Sequence, residues 1–156
     1  MTTTASDQKV VIAEGDASGF AQRVIAGTHE LSADEPAAVG GTDTGPDPYQ
    51  LLLAALGSCT SMTVALYARR KQWPLRRVHV RLAHSRVHAD DCVHCDTRQG
   101  QIDRIEQEIQ FDGDLSPEQR GRLMEIAQKC PVHRTLTSEI DIVTRFVEHA
   151  AGTVGL

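Results

Sequence analysis

The sequence predicts an α+β fold, because strand-like and helix-like runs follow one another in blocks rather than in strict alternation. Short β-prone runs come first, at residues 8–13 and 20–31, and a long apolar helix follows at about 48–71. Two runs with a two-residue hydrophobic period come next, and a pair of helices and a final alternating run close the chain.

Length and charge limit the possible functions. A chain of 156 residues is long enough for one domain with a buried core, which we expect to cover residues 1–156 with flexible ends at 1–7 and 150–156. The net charge of -5 and the dispersed basic residues argue against a nucleic acid or an anionic membrane as partner. The first ten residues lack the basic start and apolar stretch of a secretory signal, so we expect a cytoplasmic protein.

The first elements are predicted to be short strands in a hairpin or meander. The two β-prone runs are separated by GDASG, whose two glycines and one aspartate favour a turn. Residues 32–48 are rich in Gly, Pro, Asp and Thr, which predicts an ordered but irregular connection. Asp47 is suited to cap the next helix, with Pro48 at its first position.

The helix at about 48–71 is predicted to lie at the centre of the fold. Residues 51–56 are apolar on nearly every side, which indicates a helix enclosed by other elements. Residues 49–68 carry no charge, but Gln50, Gly57 and several hydroxyl side chains make the segment too polar for a membrane span. We therefore expect a buried helix and no membrane partner.

Three later runs are predicted to be strands. Residues 78–83 and 105–111 alternate apolar and polar side chains, which favours antiparallel partners joined by a loop at 89–100. Residues 139–147 alternate in the same way, and we expect them to close the fold as a strand.

A pair of helices is predicted between the last two strands. Ser116 is placed as an N-cap, with Pro117 in the first turn and Gln119 completing a capping box. The buried stripe is expected to be Leu123, Ile126 and Ala127. Because proline disfavours helical geometry in the residue before it, Cys130-Pro131 interrupts the helix, and VHRTL can restart a short one.

Two cysteines on predicted helices are the candidate reactive groups. Cys59 has mostly apolar helical neighbours, and buried free cysteines usually act as small hydrophobic side chains. Cys130 lies at the start of a helical turn, with His133 and Arg134 close by. Helix N-termini and nearby cations favour a thiolate, so local context points to Cys130 as the more reactive of the two.

Two thiols on helices of one core can together reduce a peroxide. One thiolate attacks the O–O bond and becomes a sulfenic acid, and the second condenses with it to a disulfide that an external dithiol resets. Such a site needs an apolar pocket, a cation that holds the thiolate and a carboxylate that orients the cation.

The segments PYQLLLAALGSCTSMT and IAQKCPVHRTL resemble the OsmC/Ohr family, small thiol-dependent peroxidases and their relatives. The resemblance extends from GFAQRVIAG to IVTRF, which is most of the chain. It implies antiparallel sheets wrapped around two central helices in an intertwined homodimer, with active sites at the subunit interface. It also implies that Cys59 attacks the hydroperoxide and Cys130 resolves it, the reverse of the order suggested by local context. No cofactor is required, because the electrons come from an external thiol reductant.

The chain departs from the family pattern at Tyr49. The resemblance implies a glutamate at this position, ten residues before Cys59, that holds an arginine over the thiolate. A phenol can accept a hydrogen bond but does not supply the charge of that ion pair. Arg23 lies in the N-terminal strand region where the family has its arginine, and is the expected thiolate stabiliser. The expected substrate pocket is formed by Tyr49, Leu56 and Met62.

A second group of candidate residues is HSRVHADDCVHC, residues 84–95. Cys92 and Cys95 have the spacing at which two thiolates can share one tetrahedral ion, and His88 could add a ligand for zinc. The same spacing also serves redox disulfides and occurs in solvated loops. His84 and His88 would lie about 13 Å apart on a continuous strand, so both could ligate only where the strand bends or ends between them.

Three functions stay open on the sequence alone. The first is reduction of a small hydroperoxide by Cys59 and Cys130. The second is non-enzymatic binding of a small hydrophobic ligand in the same dimer, which Tyr49 in place of glutamate would favour. The third is metal binding through Cys92 and Cys95.

Overall fold

The structure, a computed structural model, describes residues 9–148 and is an α+β fold with two antiparallel sheets and three helices. Strands β1 to β5 are Val11–Gly15, Gln22–Ala26, His29–Ala33, Leu75–His88 and Gln101–Gly113. Helices α1 to α3 are Pro48–Arg70, Pro117–Ala127 and Pro131–Leu136. The predicted fold class is confirmed. The predicted flexible ends, 1–7 and 150–156, lie outside the described residues.

The N-terminal sheet is the predicted meander, with strand order β1-β2-β3. Gly27 takes a positive φ of 62° in the two-residue turn between β2 and β3, a conformation that glycine adopts without steric cost. The strands of this sheet contact chiefly one another. Val11 and Ile12 on β1 are 59% and 52% exposed, so this sheet adds little to the core of the single chain.

The irregular connection before α1 is organised by one buried carboxylate, Asp34. Its side chain accepts hydrogen bonds from the backbone N–H groups and hydroxyls of Thr42 and Thr44. The hydrogen bond from the Thr42 hydroxyl is the main cause that lowers the pKa of Asp34 well below its usual range. These bonds explain how a segment without regular secondary structure is ordered, as predicted.

Helix α1 begins as predicted, with Pro48 at its first turn. The Asp47 side chain accepts from the Gln50 backbone N–H at 2.8 Å, and the Gln50 side chain accepts from the Asp47 N–H at 3.0 Å. By length and composition alone α1 could cross a membrane, a test that core helices of soluble proteins also meet.

The prediction that α1 is enclosed on nearly every side is wrong for the single chain. Its buried residues form one stripe, namely Leu56, Gly57, Thr60, Val64 and Ala68. Other apolar side chains of the helix remain exposed, among them Leu52 at 37%, Leu66 at 45% and Met62 at 68%. Helix α1 thus has more apolar side chains than the described residues of one chain cover.

Strands β4 and β5 form a long antiparallel ribbon in the predicted pairing, with His84 opposite Ile105. A 3-10 turn at Ala89–Asp91 begins the loop between them. Helix α1 packs closely on β4, since a Cβ added to Gly57 would lie only 2.7 Å from Leu82 Cδ1. This close approach places the middle of α1 directly over the ribbon.

Helices α2 and α3 pack against α1 and complete the core. Helix α2 begins with the predicted capping box of Ser116 and Gln119. The predicted break between the two helices is present, and Cys130 is the N-cap of α3, which begins at Pro131. The central cluster is Val64, Ala68, Phe111, Leu115, Leu123 and Ala127. Side chains from α1, α2 and β5 therefore share one core.

The predicted strand at 139–147 is wrong: this segment has no regular secondary structure. A strand needs a neighbouring strand for its backbone hydrogen bonds, and in this chain 139–147 pairs with none of the described strands. Ile142 and Phe146 are 83% and 89% exposed. Residues 139–147 have the alternating pattern of a strand. The described residues of one chain provide neither a neighbouring strand for their backbone hydrogen bonds nor a surface that covers their apolar side chains.

Candidate active site

Cys59 and Cys130, distant in sequence, lie near each other where α1 packs against α3. Both are free cysteines. Cys59 is partly exposed, whereas Cys130 is fully buried and is the N-cap of α3. The Cys130 Sγ accepts a hydrogen bond from the His133 backbone N–H at 3.2 Å. The structure thus brings together the two cysteines that the sequence singles out.

A buried polar network surrounds the Cys130 sulfur. Thr60 is fully buried, and its hydroxyl donates to Cys130 Sγ at 3.5 Å. The side-chain amide of Gln107, on β5, donates to the same Thr60 oxygen at 2.9 Å. Because Thr60 accepts from Gln107, its own proton is directed at the sulfur. Two donors therefore converge on Cys130, an arrangement that suits a sulfur carrying negative charge during a reaction.

Arg23 pairs with glutamates of its own sheet rather than with either cysteine. Its guanidinium nitrogens lie 2.8 Å from Glu30 Oε2 and 3.1 Å from Glu14 Oε1. The hydrogen bond with Glu30, followed by that with Glu14, raises the pKa of Arg23 above its usual value. All three side chains are more than half exposed, so these ion pairs add little to stability. A role for Arg23 at the thiolate stays a prediction.

Tyr49 stacks on His84, with ring centroids 4.5 Å apart and an angle of 16° between the planes. His84 Nε2 lies 2.9 Å from Asp103 Oδ1, and Arg86 Nε lies 3.6 Å from the same oxygen. The hydrogen bond with His84, aided by the charge of Arg86, lowers the pKa of Asp103. Asp103 is therefore a carboxylate at neutral pH, tied through His84 to Tyr49.

A cavity of about 210 Å³ connects the two networks, between α1, β5 and α3. Gln107 joins it to the hydrogen bonds around Cys130, and Asp103 joins it to the Tyr49 stack. Its walls are Leu56, Asp103, Ile105, Gln107, His133, Leu136 and Thr137. An aliphatic surface with a few polar groups suits a small, mostly apolar ligand.

The predicted pocket of Tyr49, Leu56 and Met62 is not assembled as one site in the single chain. Leu56 is buried and lines the cavity. Tyr49 is 49% exposed and reaches the cavity wall only through His84 and Asp103. Met62 lies on the uncovered face of α1.

Cys92 and Cys95 are joined by a disulfide in the loop between β4 and β5, with Cα atoms 5.5 Å apart. A disulfide leaves no thiolate for a metal, so the predicted zinc set of Cys92, Cys95 and His88 is not assembled in this state. Within residues 9–148 no group of three or more metal-ligating side chains is suitably arranged. Of the alternatives that the sequence left open for Cys92 and Cys95, the structure contains the disulfide and not the metal site.

Sequence reasoning did not single out Thr60, Gln107 or Asp103. Thr60 could have been found from helical periodicity, because it lies four residues from both Leu56 and Val64 on the buried stripe. The other two could not, since their positions follow from the register of β5 against β4 and against α1.

Comparisons with known proteins agree with this fold. A family model described as OsmC-like protein matches residues 41–145. No curated protein matches the chain at a significant level.

Solved structures resemble the chain over most of their length and its own. An OsmC-like protein from Mycoplasma pneumoniae is 19% identical, with a TM-score of 0.65 over 83% of this chain and 87% of that one. An organic hydroperoxide resistance protein OsmC from Legionella pneumophila is 18% identical, with a TM-score of 0.62 over 88% and 95%. The organic hydroperoxide resistance protein OhrB of Bacillus subtilis is 21% identical, with a TM-score of 0.59 over 88% and 96%. At these identities the likeness shows a common fold.

Proposed function

The chain belongs to the OsmC-like protein family, and we propose that it reduces a small organic hydroperoxide with Cys59 and Cys130 as its redox pair. The observation that carries this proposal is the proximity of two free cysteines, with two hydrogen-bond donors on the sulfur of Cys130. Gln107 and His133 connect that sulfur to the cavity between α1, β5 and α3. The names of the Legionella and Bacillus proteins, which refer to organic hydroperoxide resistance, agree with it.

In the proposed reaction, the Cys59 thiolate attacks the O–O bond of the hydroperoxide. The sulfur takes one oxygen as a sulfenic acid, and the alkoxide that leaves takes up a proton to become the alcohol. Cys130 then attacks the oxidised sulfur, which forms the disulfide and releases water. An external dithiol donates two electrons and two protons to restore both thiols. No cofactor takes part.

The burial of the two cysteines supports this order of attack. Cys59 is partly exposed, so a peroxide can approach it, whereas Cys130 is fully buried among protein atoms. A buried sulfur with donors from Thr60 and His133 is suited to react with a neighbouring sulfur rather than with a ligand from solvent.

We further propose that the functional unit is a homodimer in the cytoplasm, without a nucleic acid or membrane partner. Met62 and Leu66 on α1 and Phe146 in the C-terminal segment are exposed apolar side chains that a second copy would cover. Light scattering after size exclusion is expected to give the mass of two chains, and a monomer at micromolar concentration would contradict this part of the proposal.

A test of the reaction uses reduced protein, cumene hydroperoxide and excess dithiol. The wild type is expected to consume the peroxide and, when the dithiol is removed, to yield a Cys59–Cys130 linkage by peptide mass. Cys59→Ser is expected to reduce consumption by more than about 100-fold, because it removes the attacking thiolate. The double variant Cys92→Ser/Cys95→Ser is the matched control and is expected to stay within about twofold of wild type. No consumption and no linkage in the wild type would reject the proposal.

One observation favours a second function, non-enzymatic binding of a small hydrophobic ligand. Tyr49 stacks on His84 and forms no ion pair with Arg23, which pairs instead with Glu14 and Glu30. Under this alternative, cumyl alcohol would bind wild type and Cys59→Ser equally, and neither would consume the peroxide.

A further inference from the structure

The cavity between α1, β5 and α3 has one acidic wall residue among the described side chains, Asp103. It lies at the rim, with its side chain 58% exposed, and faces the aliphatic surface of Leu56 and Leu136. A ligand in this cavity would therefore meet the Asp103 carboxylate, aliphatic side chains, and the polar residues Gln107, His133 and Thr137.

The carboxylate of Asp103 is held in one orientation from its outer side. His84 and Arg86 both approach Oδ1, and Tyr49 stacks on the His84 ring. Within residues 9–148, no hydrogen bond is formed to Oδ2 of Asp103. One oxygen is thus anchored and the other is free to face whatever occupies the cavity.

We propose that Asp103 is the residue that determines substrate charge: it makes the cavity accept neutral hydroperoxides in preference to those carrying a carboxylate. This inference rests on the proposed hydroperoxide chemistry and specifies its substrate class. A ligand carboxylate close to Asp103 is repelled, whereas an uncharged group in the same place is not.

The size of the cavity and its exposure set the magnitude of the selectivity. At about 210 Å³, it is smaller than most drug-sized sites and suits a single ring or a short branched chain. Because the rim is exposed and Arg86 offsets part of the charge, we expect a preference of about threefold to fivefold at low salt. It should shrink at high salt.

The test compares two hydroperoxides that differ in charge and by one methyl group. One is the hydroperoxide of 4-isopropylbenzoate, which is anionic, and the other is that of its methyl ester, which is neutral. The ratio of their kcat/KM values is expected to favour the ester about threefold to fivefold in wild type and to fall below about 1.5 in Asp103→Asn. Asp103→Glu keeps the charge and is expected to keep the preference.

Asp112→Asn is the matched control. Asp112 is also on β5 and has a histidine partner, His79 at 3.4 Å, but it borders a different cavity. It removes the same charge from the same ribbon, so the ester-to-acid ratio is expected to remain at the wild-type value. An equal fall in both asparagine variants would mean that overall charge sets the ratio, and would overturn the role of Asp103.

Failure of this inference can be told apart from failure of the proposed reaction. If wild type consumes both hydroperoxides equally, or if Asp103→Asn keeps the wild-type ratio, the inference is overturned and the reaction stands. If wild type consumes neither, the reaction is rejected, and binding of the two corresponding tertiary alcohols by calorimetry decides the inference. Preferential binding of the ester that Asp103→Asn abolishes would support it, and equal binding would overturn it.

Discussion

The two pairs of cysteines in this chain come together in opposite ways. Cys59 and Cys130 are on different helices and depend on the packing of α1 against α3, whereas Cys92 and Cys95 are three residues apart in one loop. The first pair is reduced and partly or fully buried, and the second is a disulfide at the end of the β4–β5 ribbon. Chemistry at the first pair is therefore tied to the integrity of the fold, and chemistry at the second is not.

After replacement of the attacking Cys59, replacement of Cys130 should give the largest effect. Cys130→Ser removes the thiol that closes the disulfide, so multiple-turnover peroxide consumption is expected to fall by more than about 50-fold while one equivalent of sulfenic acid still forms at Cys59. Trapping with dimedone and mass spectrometry measures that single oxidation. Unchanged turnover would mean that the external dithiol reaches Cys59 directly and that the distant pair is not a functional unit.

Removing the Thr60 hydroxyl tests how strongly the first pair depends on the surrounding fold. Thr60→Val keeps the volume but leaves the Gln107 amide without a partner and takes one donor from Cys130, so the free energy of unfolding should fall by about 1–3 kcal/mol. Formation of the Cys59–Cys130 disulfide should slow by about tenfold. Thr63→Val is the control, because the Thr63 hydroxyl bonds only a backbone carbonyl of its own helix. Equal effects of Thr60→Val and Thr63→Val on stability and on disulfide formation would contradict a special role for the hydrogen bonds of Thr60.

Low pH should destabilise residues 34–47, the connection before α1, because it protonates Asp34. The Cys92–Cys95 disulfide should not be affected. The pKa of Asp34 is lowered in the folded state, so its contribution to stability is complete above the ordinary range of aspartate and is lost as pH falls toward the folded value. Asp34→Asn should therefore flatten the fall in stability below about pH 4, as measured by urea unfolding at several pH values. An unchanged slope would show that other carboxylates dominate acid unfolding.

The smallest effect is expected from the loop pair. Cys92→Ser/Cys95→Ser opens a ring that spans only four residues, so the free energy of unfolding should fall by about 2 kcal/mol or less, and peroxide consumption should not change. Thermal unfolding monitored by circular dichroism measures it. A loss well above about 2 kcal/mol, or slower formation of the Cys59–Cys130 disulfide, would mean that the loop supports the core and that the two pairs are not independent.

Features of this fold that depend on neighbours in sequence could be predicted, and those that depend on distant partners could not. The helix starts at Asp47 and Ser116 follow from side chains three residues away. Residues 105–111 of β5 lie as the alternating pattern indicates, but the meeting of Asp103 with His84 requires the register of two strands. Local signals do not encode that register.

Two predictions were wrong for a common reason. The burial of α1 on all sides and the strand at 139–147 both follow from apolar patterns that need a covering surface. The described chain covers neither Met62 nor Phe146. Hydrophobic periodicity reports that a surface is to be covered, but it does not say whether the cover belongs to the same molecule.

The position of Cys130 at the start of α3 has one more consequence. The sulfur that would be oxidised is also the atom that accepts the N–H of His133 in the first turn of this six-residue helix. A sulfur bonded to a second sulfur is a poorer acceptor than a thiolate, so oxidation and the winding of α3 cannot vary separately. Formation of the proposed disulfide would therefore weaken a hydrogen bond that holds the first turn of α3.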